Sequence, residues 1–443
     1  MELRKAWVRS DKNSKDVCIV TNGCIECRMD CSLAEHFLQT RPGYRLCRDV
    51  SKADLVIFMG CAVNQEKEDL SCRIVKAVES LKKNDAHVLI TGCIAEIRPD
   101  LVQNGQEFQD LVADVEHLSR FEGNQTLAVN TPYPEFWQMS DDALPQRTKD
   151  ELTRKYCEQN PAAWLSRISP RWRTALINLF ARYRRLIDRE ILSSSGKTFC
   201  IKVSTGCMGH CSYCSIKLAR GRIKSKPIDT VVAEFERGLD HGYRDFALLG
   251  TDLGDYGKDR KVDLLDLLTR LTGCQEKFKL RLRNVNPRWL IPSVGDFCKL
   301  LQTGKIAYVL SPVESGSNRV LARMNRGYGI EDYIGAIMKV RDAYPPVFVK
   351  SQIMVGFPGE TEDDFCKSMD LTKTGLFDYV DVYAYTKRPG TKAWGFRDEI
   401  DPRVISKRYR RLLYSSFLKL PFKRWLRLHR PRLRPRMSQQ PSL

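Results

Sequence analysis

No segment of this 443-residue chain reaches the roughly 18 uninterrupted apolar residues that a membrane-spanning helix requires, so none is expected. The first residues, Met1 to Asp16, are polar and charged and lack the apolar stretch of a secretory signal, which points to a cytoplasmic protein. Acidic residues are also short: 54 Asp and Glu face 73 Lys and Arg, a balance of +19. A surplus of that size favours a polyanionic partner, RNA or DNA first, and it bears on partners rather than on fold. It is strongest in the tail, Pro402 to Leu443, which holds thirteen Lys and Arg and no acid. That tail reads either as a solvated basic extension or as a polyanion-binding arm, with helical character over Arg410–Leu420 and an extended Pro/Arg stretch over His429–Arg436.

Cysteine, by contrast, is plentiful, with sixteen in the chain. Without a signal peptide they make a poor disulfide framework, and metal or catalytic use explains them better. The pattern of apolar runs is α/β. Val17–Val20, Leu55–Met59 and His87–Thr91 read as strands, with a helix over Glu66–Lys82 between the last two, which implies a parallel sheet. From about Phe121 to Lys197 prolines punctuate a connector, inside which Arg171–Leu192 reads as an amphipathic helix. Strands recur at Cys200–Ser204, Asp245–Leu249, Lys279–Val285, Ala307–Leu310, Phe348–Val355 and Tyr379–Tyr385, six βα repeats that suit a partial barrel. The expected organisation is a Rossmann-like domain over 1–120, a connector over 121–197, a partial (β/α)6 barrel over 198–395 and a basic tail over 396–443.

Cys207-Met-Gly-His-Cys211-Ser-Tyr-Cys214 has the spacing C-x3-C-x2-C and follows the strand Cys200–Ser204 and a turn at Gly206. Three thiolates on one short loop can hold three irons of a [4Fe–4S] cluster and leave the fourth without a protein ligand. An open position is what a substrate-binding or electron-donating cluster needs. The loop leaves the carboxyl end of the first barrel strand, where such barrels carry their active sites. Zinc is the competing reading: His210 offers a fourth ligand, but the spacing is not the usual one for zinc.

A second set has a common layout. Gly23-Cys24, Gly60-Cys61 and Gly92-Cys93 each follow one of the three N-terminal strands. In a parallel sheet those strand ends share one edge, where open α/β folds bind ligands, so distant cysteines can converge and hold a second [4Fe–4S] cluster. Cys27 and Cys31 are nearby rivals for Cys24. The bland alternative is that these are small buried hydrophobes. Cys18, Cys47, Cys72, Cys157, Cys200, Cys274, Cys298 and Cys366 show no ligand pattern.

The three-cysteine loop resembles the radical S-adenosylmethionine (SAM) superfamily. In that superfamily the open iron chelates the amino and carboxylate groups of SAM, and one electron cleaves SAM to a 5′-deoxyadenosyl radical. The resemblance extends further, through Arg220–Pro227, Leu248–Gly257, Glu314–Leu321, Met324–Arg326, Val355–Phe365 and Lys387–Thr391. In that order these segments resemble the radical SAM methylthiotransferase family, whose members attach a methylthio group to adenosine 37 of tRNA or to a ribosomal-protein aspartate. The match covers about Asp16–Val115 and Lys197–Trp394.

The resemblance implies two [4Fe–4S] clusters, one on Cys207, Cys211 and Cys214 and a sulfur-carrying one on Cys24, Cys61 and Cys93. It further implies SAM contacts from Tyr213, Gly250, Asp252, Glu314, Ser315, Gly316 and Arg326. The implied partners are tRNA or another polyanion and an electron donor such as flavodoxin or ferredoxin. Two departures concern the substrate. The small C-terminal RNA-binding β-barrel of the family has no counterpart pattern after Thr391, and Glu314 and Lys226 stand where Gln and Arg are common. The alternatives are sulfur or methyl transfer to a peptide, protein or small molecule, and a non-catalytic RNA-binding protein with structural metal. A cobalamin-type methyltransferase fits less well, because the N-terminal region lacks Asp-x-His-x-x-Gly.

Overall fold

The computed structural model describes residues 14–102, 144, 148 and 198–416. The expected connector helix, Cys157 and the outer tail lie outside the described residues. The chain divides into two compact units, Met1–Phe278 with Thr386–Phe396, and Lys279–Tyr385 with Arg397–Leu443. No helix among the described residues is long and apolar enough to cross a membrane.

The first unit holds a parallel sheet of β1 Lys15–Thr21, β2 Tyr44–Cys47, β3 Leu55–Gly60 and β4 His87–Gly92, in the order β2-β1-β3-β4. The three expected strands are β1, β3 and β4. The fourth, β2, is a short, half-exposed edge strand without an apolar run, so the sequence pattern carries no signal for it. β3 is buried along its whole length, as a central parallel strand covered on both faces must be. Its alternate residues face opposite ways: Val56 and Phe58 pack with Ile74 and Val78 of α2 (Gln65–Leu81), and Leu55, Ile57 and Met59 with Cys31, Ala34 and Leu38 of α1 (Ile25–Thr40). Asn64 caps α2 by accepting from Lys67 N at 2.9 Å.

The same unit contains β5 Phe199–Lys202, paired parallel with β8 Asp245–Leu249, and a two-stranded antiparallel ribbon of β6 Ser204–Thr205 and β7 Lys224–Ser225. Phe235 of the helix Ile228–Asp240 sits between Phe246 and Phe278, with ring centroids 4.6 and 4.8 Å away, and so seats that helix on the strand pair.

The second unit carries four parallel strands, β9 Lys279–Leu282, β10 Ile306–Leu310, β11 Phe348–Val355 and β12 Tyr379–Ala384, in the order β12-β11-β10-β9. All six expected βα strands are therefore present, two in one unit and four in the other. The helix Glu362–Lys373 begins with a capping box between Thr361 and Asp364.

The tail departs from expectation. Its first part is a helix, Pro402–Tyr414, that starts earlier than the pattern suggested and packs on the second unit. Ile405 fills the space left by Gly356, Leu412 is fully buried, and Arg408 donates to Glu360 Oε2 at 2.8 Å. These residues therefore belong to the fold and not to a solvated arm.

Asp378 anchors this unit. Its Oδ2 accepts from Arg341 Nη2 at 2.7 Å and from Val349 N at 2.8 Å, and Asp378 is 2% exposed. Removing one partner of a buried pair strands the other charge. Asp378→Ala is expected to lower the unfolding free energy by about 3–5 kcal/mol, seen as a lower denaturant midpoint at unchanged slope.

Candidate functional site

Strand register decides which cysteines meet. Thr21 of β1 lies opposite Met59 of β3, and Gly60 of β3 opposite Gly92 of β4, so the three following loops leave the sheet at one edge. Asn22 ties two of them together: its Oδ1 accepts from Cys61 N at 3.0 Å and its Nδ2 donates to Ser71 Oγ at 2.9 Å, while Ser71 Oγ donates to Cys61 O at 2.7 Å. Gly92 has φ +82°, and a Cβ there would come within 2.9 Å of Gly60 O, so glycine is required where β3 and β4 end side by side.

The three Gly-Cys thiols come together, and Cys27 joins them. Cys27 is completely buried in a cluster with Cys61, Cys93 and Ala219, and its Sγ is 4.0 Å from Cys24 Sγ. Cys24 occupies the N-cap of α1 with its side chain unused for capping. The structure thus seats Cys27 beside Cys24 rather than in its place. It sends Cys31, one turn further along α1, against Met59 Sδ at 3.7 Å in the apolar layer under the sheet. Hydrogen bonding from Cys27 draws the Cys93 thiol down to about 6, with the Arg220 charge acting in the same sense. Hydrogen bonds from Cys27 and Cys61 likewise draw the Cys24 thiol down. A thiolate is the form that ligates metal.

Buried charge flanks this edge. Asp30 on α1 is 2% exposed and accepts from Lys202 Nζ of β5 at 2.5 Å and from Arg220 Nη1 at 2.7 Å. Arg220 Nη2 donates to Cys27 Sγ at 3.4 Å. Arg388, 2% exposed, pairs with Glu68 at 2.5 Å and donates to Ala62 O at 2.9 Å, directly after Cys61. The Lys387–Thr391 segment thus braces the Cys61 loop, a job that its composition did not disclose.

The second cysteine set lies on the loop between β6 and β7. This ribbon closes the loop at its base, with Ser204 opposite Ser225 and Cys207 N donating to Gly221 O at 3.2 Å. Gly206 has φ +77°, and a Cβ there would lie 2.1 Å from Arg222 O, so only glycine lets the two sides close. Gly209 N donates to Cys207 Sγ at 3.1 Å, the type of contact that tunes iron–sulfur sites. Cys207 Sγ also lies 3.7 Å from Asp252 Oδ2 and 3.6 Å from Asp255 Oδ2, and burial followed by the Asp252 charge pushes its thiol up. Asp255, which also accepts from Met208 N at 2.7 Å, was not singled out from sequence, where it reads as one more loop acid. His210 lies beside Lys217 Nζ at 3.1 Å and is exposed, which ill suits the zinc alternative. The thiols at the sheet edge have a guanidinium donor turned toward them, whereas the Cys207 sulfur has an amide donor and the carboxylates of Asp252 and Asp255 beside it.

The two sites are close along the chain. The helix Ile216–Arg220 follows Cys214 at once and delivers Ala219 and Arg220 to the N-terminal thiols. Ala219 lies five positions after Cys214, a span of at most about 18 Å. Gly250, at the end of β8, packs on Ser204 Oγ and leaves no room for a Cβ, and the next residue, Thr251, donates to Glu26 Oε2 at 3.2 Å. Tyr213 is half-buried on the cysteine loop.

The remaining residues implied for SAM lie in the second unit. Glu314 has φ +69°, a left-handed conformation costing roughly 1–2 kcal/mol for a residue with a Cβ. It is held there by a bridge to Ile353, with Glu314 N donating to Gln352 O at 2.8 Å and Met354 N to Glu314 O at 2.9 Å. Ser315 and Gly316 pack on the helix Glu362–Lys373 through Ser368 Oγ. Arg326 Nη2 donates to Pro312 O at 2.8 Å, and its guanidinium stacks on Tyr328.

Comparison with known proteins agrees with this architecture. Residues 201–372 match the radical SAM superfamily and residues 16–114 match uncharacterized protein family UPF0004. The chain is 29% identical over 390 residues to the threonylcarbamoyladenosine tRNA methylthiotransferase of Thermotoga maritima, covering 86% of this chain and 76% of that protein. It is 26% identical over 423 residues to the tRNA-2-methylthio-N(6)-dimethylallyladenosine synthase of Finegoldia magna, covering 93% of this chain and 81% of that one. In fold it is similar to the radical SAM methyltransferase TsrM of Kitasatospora setae, with a TM-score of 0.54 at 14% identity over 86% of this chain and 75% of that one. Together these matches support the radical SAM methylthiotransferase family for this chain, as a transferase that uses a [4Fe–4S] cluster and SAM.

Proposed function

We propose that this enzyme inserts sulfur at an unactivated C–H bond of a tRNA adenosine, of the adenosine-37 type, and that the sulfur is then methylated. The observation that carries this reading is the convergence of Cys24, Cys61 and Cys93 at one sheet edge, joined by a five-residue helix to the radical SAM loop. The tRNA acceptor is supported by the relatives named above and by the +19 balance of the chain. In this reading the N-terminal domain spans 1–120, the barrel 198–395 and the basic tail 396–443, and the protein works in the cytoplasm with a small electron carrier such as flavodoxin or ferredoxin.

Cys207, Cys211 and Cys214 hold the SAM-binding cluster, and Cys24, Cys61 and Cys93 a second one. When bound, these groups supply an electron, a carbon radical that takes hydrogen from the acceptor, and the sulfur that replaces it. The residues themselves position and shield. Gly206 and the β6–β7 ribbon hold the loop closed at its base, and Gly209 N steadies the Cys207 sulfur. Asp252 and Asp255 set negative charge beside Cys207, a favourable seat for the cationic groups of SAM. Tyr213 offers a ring for the adenine, and Gly250 keeps the β8 end clear. Within the second unit, taken by itself, Glu314, Ser315, Gly316 and Arg326 are the residues to which the family resemblance assigns SAM contact.

Iron analysis after anaerobic reconstitution tests the division of labour. About eight irons are expected in the native chain and about four in each of the Cys207/Cys211/Cys214→Ala and Cys24/Cys61/Cys93→Ala variants. The first variant should lose SAM cleavage to 5′-deoxyadenosine, whereas the second should retain it and lose only thiolation. About four irons in the native chain, unchanged by the N-terminal substitutions, would leave a radical SAM enzyme without a sulfur-carrying cluster.

The acceptor is tested by salt. Phosphate contacts release counterions, so modification of tRNA should weaken steeply between about 50 and 200 mM salt. Turnover indifferent to salt would point to a peptide or small molecule.

A further inference from the structure

We propose that the face of the second unit's sheet turned away from its helices receives the acceptor, and that Arg283 and Arg281 on it bind a carboxylate that the acceptor carries. The proposal rests on the tRNA-adenosine reading above and narrows it: the adenosine bears an acidic group at N6, not an apolar alkenyl one.

Strand alternation separates the two faces. On β11, Val349, Ser351, Ile353 and Val355 are fully buried, and Ser351 Oγ lies 3.3 Å from Tyr333 Oη on the helix Ile330–Ala343. That side belongs to the helices. Lys350, Gln352 and Met354 point the other way, and register sets Lys350 beside Tyr379, Gln352 beside Asp381 and Met354 beside Tyr383. β10 and β9 continue this second face, with Tyr308 opposite Phe348 and Arg281 opposite Tyr308. Arg283 follows Arg281 at the same alternation.

The charges on this face are deep and cationic. Arg281 is 5% exposed and Lys350 7%. Lys350 Nζ pairs with Asp381 Oδ2 at 2.8 Å, and Tyr383 Oη donates to the same oxygen at 3.4 Å, so Asp381 is engaged by Lys350 rather than by Arg283. The other acid acting here, Glu314, belongs to the proposed SAM contacts. Burial pushes the Tyr308 hydroxyl up, while the charges of Lys350, Arg283 and Arg281 pull the other way, which places all three cations around one buried group. Tyr308 Oη has no hydrogen-bond partner among the described residues, and a buried hydroxyl in that state is a place for an acceptor atom.

This chemistry selects between acceptors. An alkenyl group laid against these side chains would strip water from guanidinium and hydroxyl donors and satisfy none of them. A carboxylate accepts from both, and its planar pair of oxygens matches the guanidinium fork. A site built to hydrogen-bond a polar group also rejects the analogue that lacks it more strongly than an apolar pocket rejects an extra methylene. The face is reachable from the end where Tyr383 is exposed and Arg283 half-buried. β11 ties that end to the proposed SAM contacts of the same unit, because Met354 N donates to Glu314 O at 2.9 Å. Lys350 lies four residues earlier on the strand, about 13 Å away. An acceptor set beside Met354 therefore extends its substituent toward the cations.

The test uses the full-length chain after anaerobic reconstitution and three RNA hairpins that differ only at the acceptor adenosine: an N6-threonylcarbamoyl group, its methyl ester, and an N6-dimethylallyl group. The hairpins compete for the enzyme, and mass spectrometry of the methylthio products gives the ratios of kcat/KM. The acid is expected to be preferred over the ester by about ten- to a hundredfold, the range that one hydrogen bond to a charged group supplies. Arg283→Gln should cut that ratio several-fold with iron content as in the native chain, Arg283→Lys should restore part of it, and Arg281→Gln with Arg283→Gln should bring it close to one. An ester or dimethylallyl hairpin modified as fast as the acid would overturn the proposal and leave the tRNA-adenosine reading standing. So would an Arg283→Gln chain that slows on all three hairpins alike, the mark of a purely structural role. No hairpin modified while SAM is still cleaved would remove the adenosine reading and this proposal with it, and modification of an aspartate-containing peptide instead would place the carboxylate on a protein.

Discussion

Asp30 lies one turn beyond Cys27 on α1 and is engaged by two cations that come from far along the chain, Lys202 on β5 and Arg220 after the radical SAM loop. All three are under a tenth exposed. An ion triad this deeply buried contributes little net stability, but removing one member strands the rest at a cost of about 3–5 kcal/mol. The triad therefore acts as a registration device. It sets the helix that carries Cys24 and Cys27 against the strand that launches Cys207, Cys211 and Cys214, and the geometry of the thiol-rich edge follows from that placement.

Around it, the backbone makes the sites by exclusion as much as by contact. Gly23, Gly60, Gly92 and Gly206 each occupy a place where a Cβ would strike a neighbour below 3.0 Å. At Gly206 the neighbour is backbone on the opposite side of the loop, and at Gly23 it is the side chain of Cys27. The glycine that precedes each of the cysteines at positions 24, 61 and 93 thus allows strand ends and thiols to approach more closely than any other residue would permit. The polar partners are equally local: Asn22 and Ser71 fix the Cys61 loop, and Arg388 braces it from the other end of the sequence.

The second unit shows how a motif that resembles a ligand contact can first be a structural necessity. Arg326 closes its own turn on Pro312, Gly316 has backbone of the helix Glu362–Lys373 where its Cβ would be, and Glu314 extends a strand in a left-handed conformation. The basic tail makes the same point. Arg408 and Arg411 look like free positive charge in sequence, yet they pair with Glu360 and Glu362 and lie over Phe365. Charge counts describe what a chain carries; pairing decides what it presents.

Sequence by itself determined the α/β class, the three long N-terminal strands, the six barrel strands and both cysteine sets. Each rests on local information: apolar runs of strand length and the spacing of thiols on one loop. It also placed Cys24, Cys61 and Cys93 together, because parallel strands share an edge. It left Cys27 and Cys31 level as candidates, since both follow Cys24 at helical spacing. Only tertiary structure separated them, by setting one under the sheet beside Met59 and the other against three thiols and Arg220. Strand β2, Asp255 and the brace from Arg388 were invisible for the same reason: their roles depend on partners that lie from two strands to some 320 residues away. No local pattern records such a pairing, because it exists only once the chain has folded.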